Sequence, residues 1–334
     1  MRRSVRFTAE RTVEVRETET PTPAAGEALV ETELSAISPG TELLLYRGET
    51  DAGLAADETL EAIDGDLEFP LSYGYAAVGR VAEVGEDVER SLVGRRVFAF
   101  HPHRSAFVAD PETLVPVPED CPPERAAMLA NVETAVNLAM DGRPRIGEQV
   151  VVFGQGVVGL LAVGVLSGFP LSELVAVEPQ PARRERALAM GATDAVPPGE
   201  VAAAIDGTAT PDGADLVYEL SGNPDGLDAA VDTAGYAGRV VIGSWYGTKP
   251  VELGLGGEFH RSHVRLRASQ VSRIDHEHAG RWDTDRRLAV TLDRLGELEP
   301  ERLITHRFAV GDAADAYRLL DEHPEDACGV LLTY

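Results

Sequence analysis

The chain has 334 residues, 44% of them hydrophobic, which is too long for one ordinary core and apolar enough for two. It carries 56 acidic against 30 basic residues, a formal net charge of −26, and Lys249 is its only lysine. Such a surface repels nucleic acid and anionic membranes, excluding both as partners, and acids spread along the whole chain fit a halophilic protein dissolved in a very salty cytoplasm.

The opening stretch, MRRSVRFTAERTVEV, has charges but no apolar segment of the kind that directs secretion, so a cytoplasmic location is expected. Through residue 118 the pattern is one of short strands and turns. VRFTAERTVEVRE and EALVETELSAI alternate, and GRVAEVGEDVERSLVGRRVFAF places glycines at its bends, which predicts an all-β domain over 1–119. Inside it, FPLSYGYAAVGR crowds small residues around Tyr73 and Tyr75 in a stretch too glycine-rich for a stable helix. After VPVPEDCPPERA the texture changes to a helical stretch, Pro123–Asp141. The two cysteines, Cys121 and Cys328, form no C-x-x-C pair and read as core or surface thiols.

From Gln149 onward strand-like and helical runs alternate: QVVVF, then Val157–Ser167; ELVAVE, then Pro181–Met190; DLVYEL, then a helix from Asn223-Pro224; RVVIG; VRLRAS. Short apolar strands separated by helices predict βαβ units and a doubly wound parallel sheet over 120–270. The apolar run VVVFGQGVVGLLAVGVL falls short of the ~20 residues a membrane span needs. The segment 271–334 carries the helix DTDRRLAVTLDRLGEL, the strand-like ERLITHRFAV, a short helix and the strand GVLLTY, and is expected to pack back on the first domain.

VVVFGQGVVGLL places Gly154-x-Gly156-x-x-Gly159 between a buried strand and a helix, and the next strand ends in Glu178. That context makes a dinucleotide fingerprint of an otherwise weak motif. Gly154 permits the tight turn, Gly156 lets backbone approach a pyrophosphate, and Gly159 permits close helix–sheet packing. Gln155, Val157 and Val158 complete the loop and first helical turn, whose N–H groups face the anion. Glu178 is placed to bind the adenosine ribose hydroxyls, which favours NAD, since a carboxylate repels a 2′-phosphate. Arg183 and Arg184 could reach such a phosphate, so NADP stays open.

The segments AISPGTELLLYRGE, PLSYGYAAVGRVAEVGEDVERSLVGRRV, VVVFGQGVVGLLAV, DLVYELSGNPDGLDAAV, RVVIGSWYG and LITHRF, in this order, resemble the medium-chain dehydrogenase/reductase superfamily of zinc alcohol, polyol and sugar dehydrogenases. The S-x-G-T-E-x-L-x-Y-x-G stretch is similar to the bacteriochlorophyllide a dehydrogenase-like branch. The resemblance implies an α/β chain in which a GroES-like β-barrel catalytic domain is split around a Rossmann cofactor domain, with the active site in the cleft between them and subunits paired as a homodimer. It also implies that Ser221, Gly222 and Asn223 border the nicotinamide ribose and that Gly243, Ser244 and Tyr246 line the carboxamide pocket.

Zinc members of this superfamily carry a C-G-[ST]-D motif, a G-H-E motif and a further Cys or Glu at the start of a long helix. Here those positions read Ser38/Pro39 with one residue inserted before Gly40, then Gly74-Tyr75-Ala76, then about Ala130-Asn131. Zinc needs three or four N, S or carboxylate ligands, so no zinc is expected. The pairs His101-x-His103, His260-x-x-His263 and His276-x-His278 have ligand-like spacings and offer a relocated metal site as the alternative. Without a metal, acid–base work falls to side chains. Alignment with the superfamily puts Thr41 at the start of the proton relay, Glu42 at the neighbouring acid, Tyr75 in the seat of the histidine ligand, and His103 beside the cleft. Each has a plainer role open to it: a turn residue, a structural acceptor, an aromatic filler and a loop histidine. Glu133 is a further carboxylate, more simply read as part of a solvated helical face. The expected activity is zinc-independent hydride transfer between NAD(P) and a small secondary alcohol or ketone. The alternatives are a quinone or enoyl reductase of the same fold, or an NAD(P)-binding protein without turnover.

Overall fold

The computed structural model describes residues 2–60, 62–205 and 213–334. In chain order, β1 (Arg2–Ala9), β2 (Thr12–Thr18) and β3 (Ala28–Ile37) precede helix α1 (Pro39–Tyr46). Then come β4 (Ala77–Val84), β5 (Arg96–Ala99), β6 (Ala106–Ala109), β7 (Val115–Pro116), α2 (Pro123–Ala127) and α3 (Leu129–Gly142). An alternating series follows: β8 (Gln149–Phe153), α4 (Val157–Leu166), β9 (Glu173–Val177), α5 (Pro181–Ala189), β10 (Asp194–Val196) and α6 (Val201–Ala204). It continues with β11 (Ala214–Glu219), α7 (Pro224–Thr233), β12 (Ala234–Ile242), α8 (Glu258–Arg261) and β13 (Arg265–Ala268). The chain closes with α9 (Thr284–Leu298), β14 (Ile304–Ala309), α10 (Ala313–Glu322) and β15 (Gly329–Thr333).

Contacts divide the chain into two compact units, one formed by Met1–Ala130 with Glu299–Tyr334 and the other by Asn131–Leu298. The sequence-based boundaries at 119/120 and 270/271 differ from these. Helix α9 belongs to the second unit, where the side chains of Leu298 and Met190 close over Gly164 of α4.

In the first unit β14, β15, β3, β4, β5 and β7 lie side by side in one sheet, with β6 also paired to β3, while β1 and β2 form a separate hairpin. Every pair is antiparallel except β14 with β15. The reading of residues 1–118 as purely β is corrected at α1. Pro39 at the first helical position presets φ, Glu42 sits in the first turn, and Leu43, Leu44, Leu45 and Tyr46 bury the helix. Tyr317 of α10 stacks on Tyr46 at 5.7 Å and meets Phe7 of β1 edge-on at 5.1 Å, knitting these elements into one core. In FPLSYGYAAVGR, Leu71 bridges to Phe7 and β4 begins only at Ala77, so Tyr73 and Tyr75 sit on the irregular segment ahead of a strand.

The second unit is a six-stranded, all-parallel sheet in the order β10-β9-β8-β11-β12-β13. The order reverses between β8 and β11, which makes the carboxyl ends of these strands a ligand crevice by topology. All five residues of β8 are buried, as expected of a strand covered on both faces. Helix α4 is likewise almost wholly buried, which accounts for the apolar run read in the sequence. Among the described residues no helix is long and apolar enough to cross a membrane. Neither Cys121 nor Cys328 forms a disulfide among the described residues.

Candidate functional site

In the second unit the loop after β8 has the geometry the glycine pattern predicts. Gly154 has φ +85°, and a Cβ there would come within 2.6 Å of Ser221 Cα. A Cβ on Gly159 would collide with the Gly154 carbonyl, whereas one on Gly156 would meet nothing within 4 Å. Gly156 therefore fronts open space, and it caps α4 without any side-chain hydrogen bond. The amides of Val157, Val158 and Gly159 occupy the first turn, where no intrahelical acceptor exists. Open backbone below unsatisfied N–H donors fits a pyrophosphate.

Glu178 follows β9 and is buried, its Oε2 accepting from Gln155 N at 2.8 Å and its Oε1 from Gln180 N at 3.1 Å. Each oxygen keeps a second lone pair for a ribose hydroxyl. Arg184 is held by the carbonyls of Glu178 and Pro179 at 2.8 and 2.7 Å, which ties it to the strand end, and Arg183 is half-buried beside it on α5. Across the reversal of strand order, Ser244 Oγ accepts from Gly222 N at 2.9 Å, and Gly243 N donates to the Glu219 carbonyl at 3.0 Å. The turns carrying Ser221, Gly222, Gly243 and Ser244 are thus brought together. Asn223 caps α7 by accepting from Asp225 N, which explains it structurally.

In the first unit the residues singled out from the sequence converge on Glu42. This carboxylate is fully buried. Oε1 accepts from Ser38 N at 2.7 Å, and Oε2 accepts from His103 Nε2 at 3.0 Å and from the Tyr317 hydroxyl at 2.5 Å. The other nitrogen of His103 bonds Ser35 Oγ at 2.7 Å, which in turn bonds the Tyr334 hydroxyl at 2.9 Å. Glu42 and His103 thus have every acceptor and ring nitrogen engaged and no exposed surface, an arrangement that suits the plainer reading of Glu42 as a structural acceptor and sets His103 beneath the surface as its partner. Gly74 lies against this ring. A Cβ there would be 2.6 Å from His103 Cδ2, and its φ is +115°.

Tyr75 is half-buried and donates its phenol proton in a short bond to Ser38 Oγ, with Thr41 Oγ1 3.3 Å away. Burial raises its pKa, opposed by the hydrogen bonding with Ser38 and Thr41 and reinforced by the Glu42 charge, so it is a neutral donor. Tyr73 packs edge-on against it at 6.1 Å. His101 is buried, stacked on Phe107 at 3.8 Å with Nδ1 donating to the Pro102 carbonyl, and burial lowers its pKa to about 4. Ser35, Tyr317 and Tyr334 carried no signal in the sequence, because they meet through the tertiary fold; Ser38 was marked only as standing where zinc members carry a cysteine. Glu219 did carry one, since DLVYEL ends a buried strand in an acid just as ELVAVE does.

The donors around Tyr75 are hydroxyls and an already committed carboxylate and imidazole, a set that does not fit a zinc ion. Among the described residues the one group of three potential ligands within reach of each other is the exposed His323, Glu325 and Asp326, which includes none of the three histidine pairs. Glu133 is corrected from a solvated face to a buried position, where Arg287 of α9 holds it at 3.0 Å. Burial raises its pKa and Arg287 pulls it back.

Residues 157–282 match the family model for zinc-binding dehydrogenases. The starvation-sensing protein RspB of Escherichia coli (strain K12) is 27% identical over 95% of both chains. The (R,R)-butanediol dehydrogenase of Bacillus subtilis (strain 168) is 28% identical over 61% of this chain and 65% of its own length. Among solved structures, RspB from E. coli CFT073, complexed with NADH, superposes with a TM-score of 0.78 over 100% of this chain and 99% of that one at 23% identity. The B. subtilis 2R,3R-butanediol dehydrogenase gives the same TM-score over 100% of both chains at 20% identity. With the parallel sheet, the glycine loop and its paired acid already in place, the chain is similar to dehydrogenases of the medium-chain, zinc-type alcohol dehydrogenase-like superfamily.

Proposed function

We propose that this protein is a zinc-independent oxidoreductase that moves hydride between NAD, in preference to NADP, and a small secondary alcohol or ketone. The broader statement, an NAD(P)-dependent dehydrogenase or reductase of the medium-chain type, comes from its relatives. The observation that carries the zinc-free reading is Tyr75. Its hydroxyl stands among Ser38 and Thr41 hydroxyls in place of metal ligands.

In this reading Gly154, Gln155, Gly156, Val157, Val158 and Gly159 hold the pyrophosphate, and Glu178 holds the adenosine ribose. Both Glu178 oxygens already face backbone amides, and no cation reaches that carboxylate among the described residues, which supports NAD. Arg183 remains the residue that a 2′-phosphate would call on. Ser221, Gly222, Gly243 and Ser244 serve the nicotinamide half. When bound, the nicotinamide accepts or supplies the hydride.

The chain's own part is the proton. In ketone reduction the neutral Tyr75 phenol would turn its proton from Ser38 Oγ to the substrate oxygen as hydride reaches the carbon, and the resulting phenolate would accept from the Ser38 and Thr41 hydroxyls until solvent reprotonates it; alcohol oxidation runs the same transfers in reverse. Ser38 is fixed by the hydrogen bond its backbone N–H donates to Glu42 Oε1, and Glu42 is fixed by His103 and Tyr317, so the buried cluster aims the two hydroxyls. The same reading takes the first unit as GroES-like and the protein as a salt-adapted, cytoplasmic homodimer of the bacteriochlorophyllide a dehydrogenase-like branch.

The test is a nicotinamide-absorbance screen in high salt against alcohols, ketones, quinones and enones. Turnover with secondary alcohols or ketones is expected. NADPH-dependent turnover of quinones or enones without any alcohol oxidation would make it a reductase of activated alkenes instead. Tight dinucleotide binding without turnover of any substrate would make it a binding protein.

A further inference from the structure

Glu219 ends β11 with no exposed surface, and among the described residues it forms no ion pair. A carboxylate buried without a cation persists only where donors replace its water. Here Oε1 accepts from Ser221 N at 2.8 Å and from the Ser221 hydroxyl in a short bond, and Oε2 accepts a short bond from the Tyr246 hydroxyl. Tyr246 comes from the turn after β12. Ser221 Oγ accepts in turn from Asn223 N at 3.1 Å, and Ser244 Oγ links Gly222 N to the Glu219 carbonyl.

The sheet does not need this charge. β11 and β12 are already paired in register from Leu216 with Arg239 to Glu219 with Ile242. The carboxylate acts past the strand ends, on two turns at the carboxyl edge of the sheet. They lie on the far side of the strand-order reversal from Glu178, where the second half of a dinucleotide belongs. We infer that Glu219 is a positioning residue for the nicotinamide half of the cofactor site, clamping the turn after β11 to the turn after β12 through Ser221 and Tyr246. The inference rests on the dinucleotide reading of the second unit given above.

The test compares NADH with ADP-ribose, which lacks the nicotinamide ring, by calorimetric titration of the full chain in high salt. With Glu219→Gln the NADH Kd is expected to rise about tenfold while that for ADP-ribose stays within about twofold, because one charge-assisted clamp is lost on one half of the site only. Tyr246→Phe, which leaves the carboxylate in place, is expected to shift NADH in the same direction by a smaller factor, and it decides the matter if Glu219→Gln does not fold. NADPH and 2′-phospho-ADP-ribose replace the pair if the wild type prefers the phosphorylated cofactor. Equal weakening of both ligands, or no change in either, would overturn the inference. A wild-type chain that bound neither NADH nor NADPH would instead overturn the dinucleotide reading itself.

Discussion

His103 Nε2 meets Glu42 Oε2 at 3.0 Å with neither side chain exposed to solvent. Breaking a buried pair of this kind leaves one partner desolvated and unanswered, at a cost of about 3–5 kcal/mol. Urea unfolding of His103→Leu in high salt is expected to show a loss in that range. Glu42→Gln keeps one acceptor oxygen and should lose about 1–3 kcal/mol. A loss below about 1 kcal/mol for His103→Leu would mean that water readily replaces the ring.

Removing only the Tyr75 hydroxyl separates the proton donor from the space-filling ring. Tyr75→Phe keeps the edge-on packing with Tyr73 and deletes the bonds to Ser38 and Thr41. The expected outcome is a fall in kcat/KM of about 10²–10⁴, the usual worth of a positioned acid or base, with NADH affinity unchanged. A kcat/KM within about threefold of wild type would reduce Tyr75 to filler.

Arg287 and Glu133 staple α9 to α3. Arg287 is 2% exposed and contacts Glu133 through Nε at 3.1 Å, with Nη1 donating to Asn137 Oδ1 at 2.8 Å. Arg287→Met alone is expected to destabilise the second unit by about 3–5 kcal/mol, and the double variant Arg287→Met/Glu133→Leu should recover most of it, since an apolar pair can replace a buried ion pair. Urea unfolding of both variants reads the difference. Equal losses in the single and double variants would contradict the pairing.

His101 sets a pH dependence. Its folded-state pKa, held at about 4 by burial, lies below the ordinary histidine value of 6.5, so between these values the unfolded chain binds the extra proton. Its contribution is complete above pH 6.5 and is lost as pH falls toward 4, where the total is on the order of 3 kcal/mol. His101→Phe keeps the stack on Phe107 and should flatten the stability slope in that window. An unchanged slope would place the proton uptake elsewhere.

The parallel sheet and the glycine loop were legible because both are local. Strands such as QVVVF are short buried runs, and Gly154, Gly156 and Gly159 each answer to one backbone requirement. Helix α1 was not, because PGTELLLY follows an alternating strand and owes its helical form to burial against Tyr317, far away in sequence. Tyr75 and Ser38 were both singled out by position, but the hydrogen bond that joins them emerged only from the fold. Glu133 shows the same limit. A carboxylate on an amphipathic helix looks solvated until the arginine that covers it, in another helix, is in place.

Metal content measured together with activity tests the zinc-free chemistry most directly. Protein purified in high salt, treated with a strong chelator and checked for zinc by elemental analysis, is expected to hold well under one equivalent and to keep its nicotinamide-dependent turnover. About one zinc per chain retained through purification, and lost on chelation together with activity, would contradict it.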